Sequence, residues 1–359
     1  MFNWLLVFVP AAIALEHLAP ERYLLVFIAA ALAILPLAGW MSQATEKLAQ
    51  KSGEGIGGLL NATFGNAAEL IIAFAALRAG LHDVVKASIA GSIIGNILLV
   101  LGASMLAGGL RHSEQQYNVS GARAQATLLL LAAIALILPA AYQRGVSSAF
   151  PEGMQLQALS VSIAVVLLAV YVLFLFFSLR SHRSLFMGAN FADAAEAHVA
   201  TWSTKKSIFV LAISTAAIAW VSEILVGAIE PTAHQFGLNN VFIGVFVVAI
   251  LGNAAEHASA ITAAMKNRMD LSLSIAIGSS IQVALFVAPV LVLASLVVGP
   301  RPMDLAFSGG LVLSVMLSVL ITGQVAGDGR SDWLKGIQLL AVYLILGLTF
   351  FFVPVITPN

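Results

Sequence analysis

Two identical five-residue segments carry the acidic residues best suited to ion chemistry. Gly65–Glu69 reads GNAAE, and the same letters return 187 residues later as Gly252–Glu256. In each copy an asparagine, Asn66 or Asn253, precedes the glutamate by three residues, which places amide and carboxylate on one helix face. Carboxylate and amide oxygens without thiolates are ligands for hard cations, and flexible oxygen coordination favours Ca²⁺ over Mg²⁺. The pattern therefore predicts a cation site centred on two carboxylates, Glu69 and Glu256.

A second pair of matching segments follows the first in the same order. Ser88–Ser92 (SIAGS) returns as Ser274–Ser279 (SIAIGS) with one residue inserted. The last serine of each segment is followed three or four residues later by an amide, Asn96 in one copy and Gln282 in the other. Each helix can thus present a hydroxyl and an amide on one face, completing the cation's ligands. For the serines, close helix packing remains an alternative role.

The chain that must position these residues has the composition of a membrane protein. Its 359 residues are 60% hydrophobic and 9% charged, with a mean hydropathy of +0.99, which excludes an ordinary soluble globule. A span needs about 20 apolar residues. We predict about eleven spans, at 3–18, 22–41, 55–79, 84–109, 122–142, 156–179, 207–229, 239–265, 271–299, 303–322 and 334–356.

Zero Cys excludes disulfides and thiolate metal sites, and a net charge of +0 gives no indication of a nucleic-acid partner.

The order and charge of the predicted spans indicate an inverted duplication. Lys and Arg accumulate on alternate connections, which favours a cytoplasmic N-terminus. The two GNAAE spans then cross in opposite directions. We predict an all-α integral membrane protein with an extra N-terminal helix (1–21), two inverted five-helix repeats and a cytoplasmic linker (180–206) with a short helix near 191–202. The repeats cover 22–142, completed by the span at 156–179, and 207–356. Inverted repeats place substrate near the bilayer midplane on interrupted helices, and the candidate weak points are Gly57, Gly58, Gly65, Gly244 and Gly252.

Three acids lie well inside the predicted spans: Glu69, Glu256 and Glu223. No Lys or Arg is expected inside the spans to pair with them, and an isolated charge there costs several kcal/mol, so they indicate function. One Ca²⁺ between two carboxylates is neutral, and so are two protonated carboxyls, which favours exchange of one Ca²⁺ for at least two H⁺. Glu46 and Glu223 are candidates for cation access at opposite mouths. His257 could bias protonation or serve a structural hydrogen bond.

With these residues identified, the chain resembles the cation/H⁺ exchanger branch of the Ca²⁺/cation antiporter superfamily. The resemblance spans nearly the whole chain and is carried by residues 58–71 and 252–260. It implies H⁺-driven Ca²⁺ export with Glu69 and Glu256 as central ligands, Asn66 and Asn253 beside them, and the faces of Ser92, Asn96, Ser279 and Gln282 lining the site. Many relatives carry a dense acidic run between the repeats, whereas this linker offers only Asp193 and Glu196.

Other functions stay open from the sequence. A Na⁺ or K⁺/H⁺ antiporter of the same fold is one alternative, a cation channel is another, and an intramembrane hydrolase is disfavoured because no Ser/His or His/His group lies at one depth. We expect no enzyme activity and no cofactor, with Ca²⁺ as transported substrate and Ca²⁺, H⁺ and the lipid bilayer as partners. The expected location is a prokaryotic cytoplasmic membrane, with a vacuolar membrane as the alternative.

Overall fold

The structure, a computed structural model, is helical throughout almost all of the chain that it describes. It describes residues 3–146, 154–182 and 202–353. The strand pairing seen there is one two-residue antiparallel ladder, β1 (Gln115–Gln116) with β2 (Arg330–Ser331). The predicted helix near 191–202 in the linker lies outside the described residues, apart from Trp202 itself. The all-α prediction is therefore confirmed at the level of an all-helical membrane protein.

The first part of the chain folds into helices that follow the predicted spans. A short 3₁₀ turn precedes α1, and a π-helical segment (Gly95–Val100) joins α5 to α6. The helices are α1 (Phe8–Leu18), α2 (Tyr23–Lys51), α3 (Gly53–Phe64), α4 (Ala67–Arg78), α5 (His82–Ile94), α6 (Leu101–Gly109), α7 (Val119–Val146) and α8 (Met154–Phe176).

The second part of the chain is again a series of helices with π-helical segments between them. Ile243–Val248 and Val283–Val287 are π-helical, as is Phe177–Ser181 after α8. The helices are α9 (Thr204–Phe236), α10 (Asn240–Phe242), α11 (Ala249–Met265), α12 (Met269–Gln282), α13 (Ala288–Ala294), α14 (Gly309–Ala326) and α15 (Trp333–Phe351).

Eight continuous helical stretches in the described residues are long and apolar enough to cross a membrane, and a bent pair gives up to nine. The bent pair is Asn240–Ala254 with Glu256–Met265, at 69°. Two predicted spans take other forms: 3–18 is a shorter apolar helix, and 55–79 is the pair α3 and α4 of 12 residues each. The span predicted to end at residue 41 continues as α2 to Lys51, because polar residues end a hydropathy run without ending helical hydrogen bonding.

The described chain separates into two compact units, each drawing on both halves of the sequence. Unit 1 comprises Met1–Ser88, Val199–Ala255 and Gly347–Asn359. Within it α2 packs along α9, where Thr215 Oγ1 lies 3.7 Å from Met41 Sδ. Gly244 lies against α5, since a Cβ there would be 2.5 Å from that of Ala87. Small residues thus let the helices of this unit approach closely, as is typical in membranes.

Unit 2 comprises Ile89–His198 and Glu256–Leu346. Its α6 and α15 meet through glycines: a Cβ on Gly102 would lie 3.1 Å from the carbonyl oxygen of Gly336. The connections at one end are joined by the β1–β2 ladder and by Gln115, whose Nε2 donates to the carbonyl of Ala264 at 2.8 Å. These bonds hold the ends of the helices that carry the candidate residues of this unit.

Candidate cation-binding site

In unit 1 the first GNAAE copy lies where a helix breaks. α3 ends at Phe64, and Asn66 is the N-cap of α4 with φ −103° and ψ 25°. Glu69 occupies the first turn of α4, where the positive end of the helix dipole favours a carboxylate. The break predicted at Gly65 is therefore present, and it sets the amide and the carboxylate at a helix N-terminus.

Both polar side chains at this break are buried. Asn66 is 1% exposed and Glu69 is 7% exposed. Glu69 lies against Gly252, since a Cβ built there would be 2.8 Å from Glu69 Cγ and 3.3 Å from its Oε1. Asn253, also 1% exposed, donates from Nδ2 to the carbonyl of Ala249 at 3.0 Å. Unit 1 thus buries one carboxylate and two amides, drawn from both copies of the motif.

In unit 2 the remaining candidates form a hydrogen-bonded chain. Asn96 Nδ2 donates to Ser279 Oγ at 3.1 Å, and Asn96 Oδ1 lies 3.2 Å from His257 Nε2. Ser279 also hydrogen-bonds the side chain of Glu256. The Asn96 carbonyl accepts only if His257 carries its proton on Nε2, which fixes the imidazole tautomer. His257 therefore hydrogen-bonds a predicted ligand, Asn96, and its two predicted roles both stay predictions.

Ser92 and Gln282 lie on the same helices of unit 2. Ser92 is 2% exposed in α5, four residues before Asn96, and Gln282 ends α12 three residues after Ser279. Neighbouring Ser280 instead bonds backbone, the carbonyls of Ile93 and Ala276. The two adjacent serines thus have different hydrogen-bond partners: Ser279 bonds polar side chains, and Ser280 bonds backbone carbonyls.

Two features of these helices escaped the sequence analysis. Asn96 lies inside the π-helical segment Gly95–Val100, and Gln282 immediately precedes the π-helical segment Val283–Val287. π-helical turns are rare and often accompany functional sites. The two π-helical segments lie at corresponding points of the two copies. Residue types alone could not predict them, because a π turn has no simple sequence signature. The second feature is the contact of Gly252 on α11 with Glu69, which joins residues 183 positions apart.

The access candidates have different surroundings within unit 1. Glu46 Oε1 accepts a hydrogen bond from Gln50 Nε2 at 3.1 Å. Glu223 Oε1 accepts from Arg78 Nη1 at 2.8 Å. The expectation that no basic residue pairs with the acids of the spans is therefore wrong for Glu223. It failed because Arg78, in the last turn of α4, meets an acid 145 residues away on α9, and residue types along the chain do not show such a contact.

The structure divides the predicted residues between the two units. Unit 1 holds Asn66, Glu69, Asn253, Glu46 and Glu223, and unit 2 holds Ser92, Asn96, Glu256, His257, Ser279 and Gln282. No three His, Asp or Glu side chains of the described segments are grouped as metal ligands.

Comparison with known proteins gives a consistent result. Residues 22–180 and 206–352 match the family described as "Sodium/calcium exchanger protein". A protein of Aphanothece halophytica named "Ca(2+)/H(+) antiporter" is 45% identical over 99% of this chain and 97% of its own length. "Ca(2+)/H(+) antiporter ChaA" of Bacillus subtilis is 43% identical over 89% of each.

Solved structures share the architecture. The structure titled "Structure of native YfkE" matches with a TM-score of 0.81 and 38% identity, covering 97% of this chain and all of the other. The "Crystal Structure of H+/Ca2+ Exchanger CAX" matches with a TM-score of 0.70 at 17% identity, over 97% of this chain and 90% of the other. The second likeness concerns the fold alone.

Proposed function

The chain belongs to the Ca²⁺/H⁺ antiporters of the sodium/calcium exchanger family, and from this premise we propose that it exports Ca²⁺ from the cytoplasm in exchange for H⁺. It is a membrane transporter and not an enzyme. The duplicated GNAAE motif is the observation that carries the proposal, because both copies lie in a chain that matches named Ca²⁺/H⁺ antiporters over nearly its full length.

We propose the eleven-span topology for this transporter, with a cytoplasmic N-terminus in a prokaryotic cytoplasmic membrane. One helix precedes two inverted repeats, 22–142 with 156–179, and 207–356. Described helices near every predicted span support this arrangement. Helix breaks or π-helical turns beside the motifs of both copies add support, since interrupted helices are where inverted-repeat transporters bind substrate.

The proposed cycle rests on charge neutrality of two glutamates. Glu69 is buried, and Glu256 Oε2 is shielded from the surroundings. Carrying two ionised carboxylates through a conformational change would cost several kcal/mol per charge. One Ca²⁺ or two protons cancels that charge equally, so we propose that the two occupants alternate. Asn66, Asn253, Ser92 and Gln282 supply further oxygens, and Asn96 and Ser279 position the Glu256 carboxylate.

Reconstitution into liposomes tests the proposal. With an imposed pH gradient, the wild type should take up Ca²⁺ with coupled proton release, and Glu69→Gln and Glu256→Gln should each abolish both. Glu21→Gln is the matched control, because Glu21 is an exposed carboxylate between α1 and α2. Ca²⁺ flux that ignores the gradient would indicate a channel, and proton release driven only by Na⁺ or K⁺ would assign a monovalent substrate.

A further inference from the structure

An ion pair lies at the far end of the helix that carries Glu69. Arg78 belongs to the last turn of α4, and its Nη1 is 2.8 Å from Glu223 Oε1 on α9. The two side chains are 60% and 59% exposed, so the described chain does not enclose them. All three residues belong to unit 1. The pair therefore joins the helix of a central glutamate to a neighbouring helix at an accessible point.

Helix lengths give the depth of this pair. Arg78 follows Glu69 by nine residues, about 13 Å along a helix axis. Glu223 follows the start of α9 by 19 residues, about 28 Å, which is close to the thickness of the hydrocarbon core. In the proposed topology both distances place the pair at the outer mouth, where the exported cation leaves.

The corresponding acid of the other copy has an uncharged partner. Ala44–Glu46 is the weak sequence echo of Val221–Glu223. Glu46 is exposed, and its hydrogen bond within the described chain comes from the amide of Gln50 at 3.1 Å. A guanidinium is always charged and cancels a carboxylate, whereas an amide leaves its charge in place. Within the described residues, Glu223 therefore has a guanidinium as its hydrogen-bond partner and Glu46 has an amide, although the two acids occupy matching positions.

We propose that Arg78 is an affinity-setting residue: by pairing with Glu223 it keeps the outer mouth from recapturing the exported divalent cation. At the cytoplasmic mouth, the described partner of Glu46 is an amide and not a guanidinium. A carboxylate at a mouth raises the local concentration of divalent cations, and a bound guanidinium removes that attraction. The inference rests on the proposed function and gives the direction of transport a structural asymmetry within otherwise similar repeats.

Sided transport measurements test this assignment. In oriented vesicles, Arg78→Gln should lower the KM for Ca²⁺ presented at the outer face by about three- to tenfold, a range typical of exposed charges. The KM at the cytoplasmic face should not change. Arg78→Gln combined with Glu223→Gln should restore the wild-type outer KM. Arg301→Gln controls for the loss of one positive charge, since Arg301 lies on a predicted outer connection.

Other outcomes would overturn the inference. An unchanged outer KM in Arg78→Gln would refute it, and so would a fall in Arg301→Gln of the same size. The pair could instead only hold α4 against α9. In that case Arg78→Gln and Glu223→Gln would impair transport in the same way, and the double variant Arg78→Glu with Glu223→Arg would restore it. A wild type that moves no Ca²⁺ would instead refute the proposed function, so the two failures are distinguishable.

Discussion

Glu69 packs directly on Gly252, so that the last residue of one GNAAE copy lies against the first residue of the other. A Cβ at position 252 would lie 2.8 Å from Glu69 Cγ, closer than real Cβ atoms approach, and 3.2 Å from Cδ, tighter than most real Cβ contacts. The glycine is therefore required by the neighbouring acid and not by its own backbone conformation. Within unit 1, this contact places the end of the first copy against the beginning of the second.

Gly252→Ala should displace the Glu69 carboxylate and lower coupled Ca²⁺ transport about tenfold or more, because small shifts of a positioned group have large kinetic effects. Transport by purified, reconstituted protein measures this. Gly227→Ala adds the same methyl group in α9 where nothing lies within 4 Å, and it should transport normally. Equal activity of the two variants would show that the position of Glu69 is not critical.

Ser279→Ala should impair transport more than Ser280→Ala. Ser279 joins Asn96 to Glu256, whereas the Ser280 hydroxyl bonds the carbonyls of Ile93 and Ala276. We expect Ser279→Ala to raise the KM for Ca²⁺ several-fold and Ser280→Ala to cost about 1 kcal/mol of stability with little effect on KM. Radioactive Ca²⁺ uptake and thermal unfolding separate the two effects. The reverse ranking of KM would remove Ser279 from the site.

The ion pair between Asp328 and Lys335 should make stability depend on pH in the acidic range. Burial opposes ionisation of Asp328, but the hydrogen bond and charge of Lys335 Nζ, which lies 2.5 Å away, together with backbone hydrogen bonds outweigh burial and hold the pKa of Asp328 below its ordinary 3.8. A lowered pKa in the folded state adds stability above pH 3.8, and that stability is lost as the pH falls through the folded value.

Asp328→Asn should therefore lower the Tm slightly at neutral pH, by less than about 1 kcal/mol of stability because Asp328 is half exposed. The difference from the wild type should shrink below pH 3.8 and also in high salt. Thermal unfolding in detergent across this range is the measurement. A Tm difference that grows as the pH falls would contradict the assigned sign.

Gly336→Ala should destabilise the packing of α6 on α15. A Cβ at this position would overlap the backbone nitrogen of Leu106 and lie 2.7 Å from the carbonyl oxygen of Gly102. Since backbone cannot rotate away as a side chain can, the helices must separate, at about 1–3 kcal/mol. Thermal stability should fall relative to Gly323→Ala, whose methyl group meets nothing within 4 Å. Comparable Tm values would refute the close helix contact.

Much of the fold could be predicted because long apolar runs in the sequence indicate membrane helices. Spans such as 84–109 and 207–229 correspond to helical stretches that the structure describes. The boundaries failed where helical hydrogen bonding continues through polar residues, as in α2 to Lys51. The break at Gly65 was predicted from residue types, whereas the π-helical turns at Asn96 and after Gln282 were not.

The sequence by itself determined the family and the membrane class and supplied the candidate ligands, since repeated letters and apolar runs are local properties of the chain. Only the tertiary structure decided that Gly252 carries Glu69, that Asn96 bonds both Ser279 and His257, and that Arg78 neutralises Glu223. Each of these contacts joins residues more than a hundred positions apart. Their pairing depends on how helices pack, and no local pattern of residue types encodes that geometry.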